Sequence, residues 1–148
     1  VGEVVDAQDL SLRTTEYVSS LGREVFFEFT MPGDRLAAFL RLALPDAGAD
    51  GIPEEVEKAA MIREVHVYGG ALDLGRRREG AAQHRGLGRA LIDAASDRAL
   101  AEGYGRLAVI SAVGTRGYYR KLGFDDGTLY QHRVLGEVDA TETGEGPC

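Results

Sequence analysis

The order of hydrophobic patterns along the chain is the feature that most constrains its fold. Four stretches with strand character precede the first helical stretch, and the first of them alternates apolar and polar residues as a half-buried strand does. The second, VFFEFT, is β-branched and aromatic. The third is rich in alanine and leucine, so a helix is the alternative to a strand there. The four predicted strands are Leu10–Val18, Val25–Thr30, Leu36–Leu44 and Ala60–Tyr68.

The second half of the chain alternates between helical and strand patterns. Apolar residues recur at helical spacing before Gly103, which is a plausible helix stop. The predicted elements are a helix over Leu87–Leu100, a buried strand over Arg106–Ser111, a short helix over Thr115–Leu122 and a final strand over Phe124–Leu135. Three strands, then strand and helix twice, then a strand is an order typical of an α/β fold with one mixed sheet.

The length and composition indicate one globular domain. The chain has 148 residues, of which 44% are hydrophobic and 28% are charged. We expect the domain to occupy residues 1–135 and the acidic residues 136–148 to form a disordered tail. No apolar run approaches the ~20 residues of a membrane helix, and Val1–Leu10 lacks the basic cluster of a signal peptide. A cytoplasmic location is therefore expected.

Cysteine content and charge exclude further classes of site. Cys148 is the single cysteine, so this chain alone cannot form an intrachain disulfide, a thiolate zinc site or an iron–sulfur cluster, and we expect no metal. The net charge of −7 opposes binding of nucleic acid through the overall field of the protein.

The fourth predicted strand carries two polar residues of interest, Glu64 and His66. Glu64 is a candidate general base, although pairing with an arginine such as Arg63 or Arg106 is favoured for it. His66 is more simply explained as a structural histidine. Regular alternation predicts two faces on this strand, with Ile62, Glu64 and His66 on one and Arg63, Val65 and Val67 on the other.

A glycine motif follows that strand and leads into the predicted helix. The sequence QHRGLG covers Gln83 to Gly88, and its two glycines allow a ligand to approach the backbone closely. The first N–H groups of a helix favour an anion, and Arg85 and Arg89 add charge suited to a pyrophosphate. An ordinary turn is the alternative, because the spacing is neither the dinucleotide fingerprint nor a phosphate-binding P-loop.

Two adjacent tyrosines lie on the last predicted helix. Tyr118 and Tyr119 precede Gly123 in the sequence YYRKLGF. Core packing is the simpler interpretation, whereas a phenol that faces a cleft can donate its proton to a departing thiolate.

These two motifs together resemble the GCN5-related N-acetyltransferases. QHRGLG is similar to the motif with which that family cradles the pyrophosphate of coenzyme A, and YYRKLGF, about thirty residues later, is similar to its closing signature. IREVHVYG and ISAVGTRGYYRKLGF narrow the resemblance to the acetyltransferase domain of the Elongator subunit 3 family, over roughly residues 10–134.

The resemblance implies a fold, a ligand and site residues. The fold is a mixed, mostly antiparallel sheet flanked by helices, and the ligand is acetyl-CoA. The phenol near the sulfur is Tyr119, with Tyr118 as its rival. The implied cofactor-binding residues are His66, Val67, Gln83, His84, Arg85, Gly86, Leu87, Gly88, Arg89, Tyr118 and Tyr119.

In that family the domain follows a radical SAM domain, and the two together modify the wobble uridine of tRNA with an acetyl unit from acetyl-CoA. The implied partners are therefore tRNA, bound weakly by this domain alone, and a radical SAM domain with its iron–sulfur cluster, upstream or in trans. Arg76–Arg78 would flank the RNA side of the cleft.

One departure from ordinary N-acetyltransferases favours this narrower family. Thirteen residues, Gly70 to Ala82, separate Gly69 from the glycine motif, whereas ordinary members run almost directly from strand to motif. Two alternatives remain, namely a self-sufficient N-acetyltransferase acting on a protein lysine or a small amine, and a non-catalytic module that binds acetyl-CoA or RNA.

Overall fold

The computed structural model describes residues 10–68 and 77–136, with the backbone alone for residues 77–85. Within these ranges the helices and strands are β1 (Ser11–Ser19), β2 (Gly22–Met31), β3 (Arg35–Pro45), β4 (Ala60–Val67), α1 (Arg77–Ala101), β5 (Arg106–Val109), α2 (Arg116–Lys121), β6 (Asp125–Asp126) and β7 (Gln131–Val134). Short 3₁₀ turns lie at Glu54–Val56 and Val113–Thr115.

The seven described strands form one mixed sheet. Their order is β1-β2-β3-β4-β5-β7-β6, and within it β4 and β5 are parallel while every other described pair is antiparallel. This arrangement confirms the predicted α/β class and the mostly antiparallel sheet. It also shows that the third predicted stretch, for which a helix was the alternative, is a strand.

One face of the sheet carries the main core. Alternate residues of β2 and β3, such as Val25, Leu40 and Leu42, are fully buried against α1, which contributes Leu91 and Ile92. Because the helix covers only this face, the opposite face keeps polar residues among a smaller apolar cluster around Val56 and Met61.

A β-bulge changes the faces of β4. Arg41 lies opposite Glu64 and Leu42 lies opposite Ile62, so Arg63 is an extra residue without a partner of its own on β3. The predicted regular alternation is therefore wrong. Ile62 shares the core face with Val65 and Val67.

The first helix is longer than the sequence predicted. It begins at Arg77 rather than Leu87, so the second part of the expected connector, and the whole of Gln83–Gly88, is helical. Residues 69–76, which include the rest of that connector, lie outside the described residues, as do residues 1–9 and the expected tail from residue 137.

The predicted final strand is a hairpin of β6 and β7. Asp125 pairs with His132, and Asp126 pairs with Gln131. The turn is held from outside by Glu55, whose carboxylate accepts the N–H groups of Leu129 (2.9 Å) and Tyr130 (3.1 Å).

His132 on β7 makes a further contact with Glu55. Its Nε2 lies 3.0 Å from the Glu55 carboxylate, and its Nδ1 lies 3.0 Å from a guanidinium nitrogen of Arg106. Since arginine can only donate, Nδ1 accepts from Arg106 and Nε2–H donates to Glu55. Partial burial opposes ionisation of Glu55, but the three donors outweigh it and lower the pKa of this carboxyl from 4.5 to about 2.

The contacts that Glu55 makes with the β6–β7 hairpin predict that the stability of the fold depends on pH. Because the folded pKa of Glu55 is below its ordinary value, the contribution is present above pH 4.5 and is lost as the pH falls toward about 2. We expect Glu55→Gln to lower the free energy of unfolding at neutral pH, and the gap from the unaltered chain to close across this pH window. Denaturant unfolding measured at several pH values tests this, with the exposed neighbour Glu54→Gln as control. A gap that stays constant down to pH 2 would contradict the assignment.

Candidate functional site

The sheet opens between β4 and β5. These strands pair only from Ala60 to Ile62 on β4 and from Leu107 to Val109 on β5. Beyond Ile62, β4 continues to Val67 with β3 as its only partner in the described part of the chain. One backbone edge of β4 over residues 63–67 is therefore without a strand partner there, and such an edge offers N–H and C=O groups to an extended ligand.

Three elements meet beside this opening. A Cβ atom added to Gly88 of α1 would collide with the Tyr118 hydroxyl on α2 and would lie 3.8 Å from Cγ2 of Val67 on β4. Gly88 is buried, so the absence of a side chain there is what lets the phenol and the end of β4 approach the helix. The structure thus brings together three of the predicted site residues.

The two glycines of the motif differ in their surroundings. Gly86 is exposed, and a Cβ there would meet no described atom within 4 Å. Close packing explains Gly88 in the free protein, whereas nothing in the described structure requires a glycine at position 86. The described residues therefore leave the surface at Gly86 open.

The predicted position of the motif on the first turn of a helix is wrong. Only the N–H groups of the first turn of a helix are free, and α1 begins at Arg77, more than two turns before Gly86. The N–H groups of Gly86 to Arg89 lie inside the helix and donate to carbonyls four residues earlier. In this conformation they cannot cradle a phosphate. The sequence missed this because the glycines are poor helix formers and suggested a loop.

The two tyrosines occupy different environments. Tyr119 is buried, with 8% of its surface exposed, and its ring makes an edge contact with Phe124 at 5.4 Å between centroids. Tyr118 is half-buried and packs edge-on against Tyr119 at 5.3 Å. Tyr118 is the phenol that reaches Gly88 and Val67.

Burial also sets the acidity of these phenols. It raises the pKa of Tyr118, with a smaller opposing effect from the charge of Arg89. It raises the pKa of Tyr119, and Tyr118 adds to that increase. Both phenols are therefore protonated at neutral pH, as a proton donor must be.

The side chains of Glu64 and His66 lie on the other face of β4. Glu64 Oε1 accepts from Arg41 at 3.2 and 3.3 Å, and Arg41 also contacts Glu24 at 3.2 Å. The arginine partner expected for Glu64 is thus present, but it is Arg41 on β3 and neither Arg63 nor Arg106. Regular alternation hid this pairing, because the bulge at Arg63 puts Glu64 opposite Arg41.

His66 has a structural environment. Its half-exposed ring stacks on Phe39 at 5.2 Å, and its Nε2 lies 3.5 Å from Glu64 Oε2. The ring is thus separated by the sheet from the Gly88–Tyr118 contact. Its backbone belongs to the unpaired edge of β4, together with that of Val67.

The remaining predicted site residues differ in burial and in how much of each the structure describes. Leu87 is partly buried against the main core, and Arg89 is exposed on α1. Gln83, His84 and Arg85 have helical backbone, and their side chains lie outside the described residues.

The described part of the chain contains no group of three or more His, Cys, Asp or Glu residues arranged to hold a metal ion. No helix within it is long and apolar enough to cross a membrane.

Comparisons with known proteins agree with this fold. A family profile described as an acetyltransferase (GNAT) domain matches residues 79–132, which include most of α1, all of β5 and α2, and most of the hairpin. A putative N-acetyltransferase from Lactobacillus plantarum has a similar fold, with a TM-score of 0.52 at 17% identity over 76% of this chain and 70% of that one. The chain is a GNAT-type acetyltransferase domain.

Its relatives define the family more narrowly. It is 42% identical over 117 residues to a tRNA uridine(34) acetyltransferase of Dehalococcoides mccartyi, covering 78% of this chain and 26% of that protein. It is 36% identical over 135 residues to Elongator complex protein 3 of Dictyostelium discoideum, covering 89% and 24% respectively. The structure of archaeal Methanocaldococcus infernus Elp3 matches with a TM-score of 0.72 at 32% identity, over 90% of this chain and 32% of that one.

The chain therefore belongs to the acetyltransferase domains of the Elongator protein 3 family. It spans about a quarter of the length of these curated relatives.

Proposed function

We propose that this domain binds acetyl-CoA in the opening between β4 and β5 and supplies its acetyl unit for carboxymethyl modification of the wobble uridine of a tRNA. The proposal is supported chiefly by the edge of β4 over residues 63–67, which has no partner among the described strands and lies next to the Gly88–Tyr118 contact. The pantetheine arm of coenzyme A carries two amides, which can pair with such an edge as an added strand does. The names of the similar proteins support the acceptor.

The proposed ligand contacts follow the cleft from the thioester to the phosphates. The backbone of His66 and Val67 faces the acyl group, and Tyr118 and Tyr119 lie at the sulfur. Gln83 to Arg89 lie along the pyrophosphate. With the N–H groups of Gly86 to Arg89 engaged in α1, we assign the phosphate contact to the exposed Arg89 and to the open surface at Gly86.

The rest of the reaction needs partners. We propose a radical SAM domain with its iron–sulfur cluster, elsewhere in the same protein or in trans, for the radical step on the nucleoside. Because the net charge is −7, we expect this domain alone to bind tRNA weakly. In this proposal Arg76–Arg78 lie on the RNA side of the cleft. The whole enzyme is cytoplasmic. A self-sufficient N-acetyltransferase is disfavoured, because the Glu64 carboxylate is held by Arg41 rather than available as a general base.

Gly86 provides a clean test of the acetyl-CoA site. The described residues leave room for a methyl group there, and alanine is the better helix former, so Gly86→Ala should fold with unchanged or slightly higher stability. We expect calorimetry to show acetyl-CoA affinity reduced by about tenfold or more, because the added group occupies the ligand surface. Gly114→Ala, at a second exposed glycine with room for a methyl group, is the control. Unchanged affinity in Gly86→Ala would remove this surface from the site.

The tyrosines provide a separate test of the proton donor. Loss of a general acid typically costs ~10²–10⁴-fold in rate. The family position favours Tyr119, whereas the contact with Gly88 and Val67 favours Tyr118. We therefore expect one of Tyr118→Phe and Tyr119→Phe to lose turnover by that factor while acetyl-CoA affinity is retained.

The assay measures acetyl-CoA consumption and binding with tRNA and the partner domain present. The variant that loses turnover identifies the donor. Full activity in both variants would show that neither phenol is the acid and that the pair serves packing.

A further inference from the structure

Gln131 is a buried polar residue to which the proposed chemistry gives no role. It begins β7, and none of its surface is exposed. A buried amide is costly unless its donors and acceptor are satisfied, so its partners show what its position requires.

All three hydrogen bonds of the side chain join different segments. Its Oε1 accepts a hydrogen bond from the hydroxyl of Ser111, two residues after the end of β5. Its Nε2 donates to the carbonyl of Arg116 at 3.1 Å and to Oδ1 of Asp126 at 3.0 Å. Only this orientation of the amide is possible, since the flipped one would place an oxygen against two acceptor oxygens.

These partners are the anchors of α2. Arg116 is the first residue of that helix, and Arg120, one turn later, makes two bonds to Asp126 at 2.7 and 3.1 Å. The same buried amide is therefore connected to the start of α2 directly and to its last turn through Asp126. A helix of six residues has little stability of its own, so such ties and the burial of Tyr119 set its position.

We propose that Gln131 is a positioning residue for the two phenols of α2, acting by fixing the helix between the end of β5 and the β6–β7 hairpin. This role of Gln131 rests on the proposed function, because it requires that one phenol donates a proton during turnover. Gln131 itself packs behind α2 and acts on the reaction through Tyr118 and Tyr119.

The test replaces the amide without adding charge. Gln131→Met keeps a similar volume and removes all three hydrogen bonds, whereas Asp126→Asn keeps an acceptor for Gln131 and weakens the tie to Arg120. Thr30→Val is the matched control, because Thr30 is also a buried polar residue and its hydroxyl bonds a carbonyl at the far edge of the sheet, on β1. Each variant is measured in the full chain, with the partner domain and tRNA present for turnover.

Two readouts separate positioning from stability. Fluorine NMR of fluorotyrosine-labelled protein should show shifted or broadened signals for Tyr118 and Tyr119 in Gln131→Met, with smaller shifts in Asp126→Asn. The signal of Tyr104, whose hydroxyl bonds the Pro45 carbonyl elsewhere, should stay unchanged. Turnover per folded molecule should fall by about tenfold or more in Gln131→Met, since small displacements of a reacting group have large kinetic costs.

The affinity for acetyl-CoA should change much less than turnover in Gln131→Met. A variant with lower thermal stability but unchanged Tyr118 and Tyr119 signals would overturn the positioning role, as would equal effects in Thr30→Val. Absence of acetyl-CoA binding by the unaltered chain would instead overturn the proposed function. Should Gln131→Met fail to fold, unchanged signals and turnover in Asp126→Asn would decide against the proposal.

Discussion

The separation of β4 from β5 after Ile62 is the constraint on which the rest of the site depends. The two strands pair over three residues and then part, so the edge of β4 toward the opening has no strand partner within residues 10–68 and 77–136. The bulge at Arg63 falls at the same point and turns Val65 and Val67 toward the helical face. Without the bulge, regular alternation would put Glu64 on that face. The opening therefore has an apolar wall beneath α1, and the charged pair of Glu64 and Arg41 lies behind it.

The helices complete the opening by different means. The long helix α1 is held by the main core, through residues such as Leu91 and Ile92. The short helix α2 depends on the burial of Tyr119 and on the polar ties of Gln131 and Asp126. Gly88 is where the two helices and β4 meet, because no side chain there separates Tyr118 from Val67. In the QHRGLG motif, the second glycine, Gly88, thus serves close packing, whereas the first, Gly86, lies on an exposed surface.

Much of the fold could be predicted from the sequence, since alternation and β-branched composition are local signals. The first four strands, β5 and α2 agree with their predicted positions within a few residues. The start of α1 could not be predicted, because glycines and arginines gave no helical period before Leu87. The bulge was hidden as well, since an extra residue on one strand is defined by its partner strand. The hairpin of β6 and β7 depends on Glu55, which is more than seventy residues away in sequence.

We propose that acetyl-CoA lies along the edge of β4 that faces the opening. Amide hydrogen exchange, measured with and without acetyl-CoA, tests it directly, because a ligand that pairs with this edge protects its free N–H groups. We predict added protection within residues 63–67 of β4, with no change on the distant edge strand β1. Protection confined to other parts of the chain, with β4 unchanged at saturating acetyl-CoA, would contradict the account.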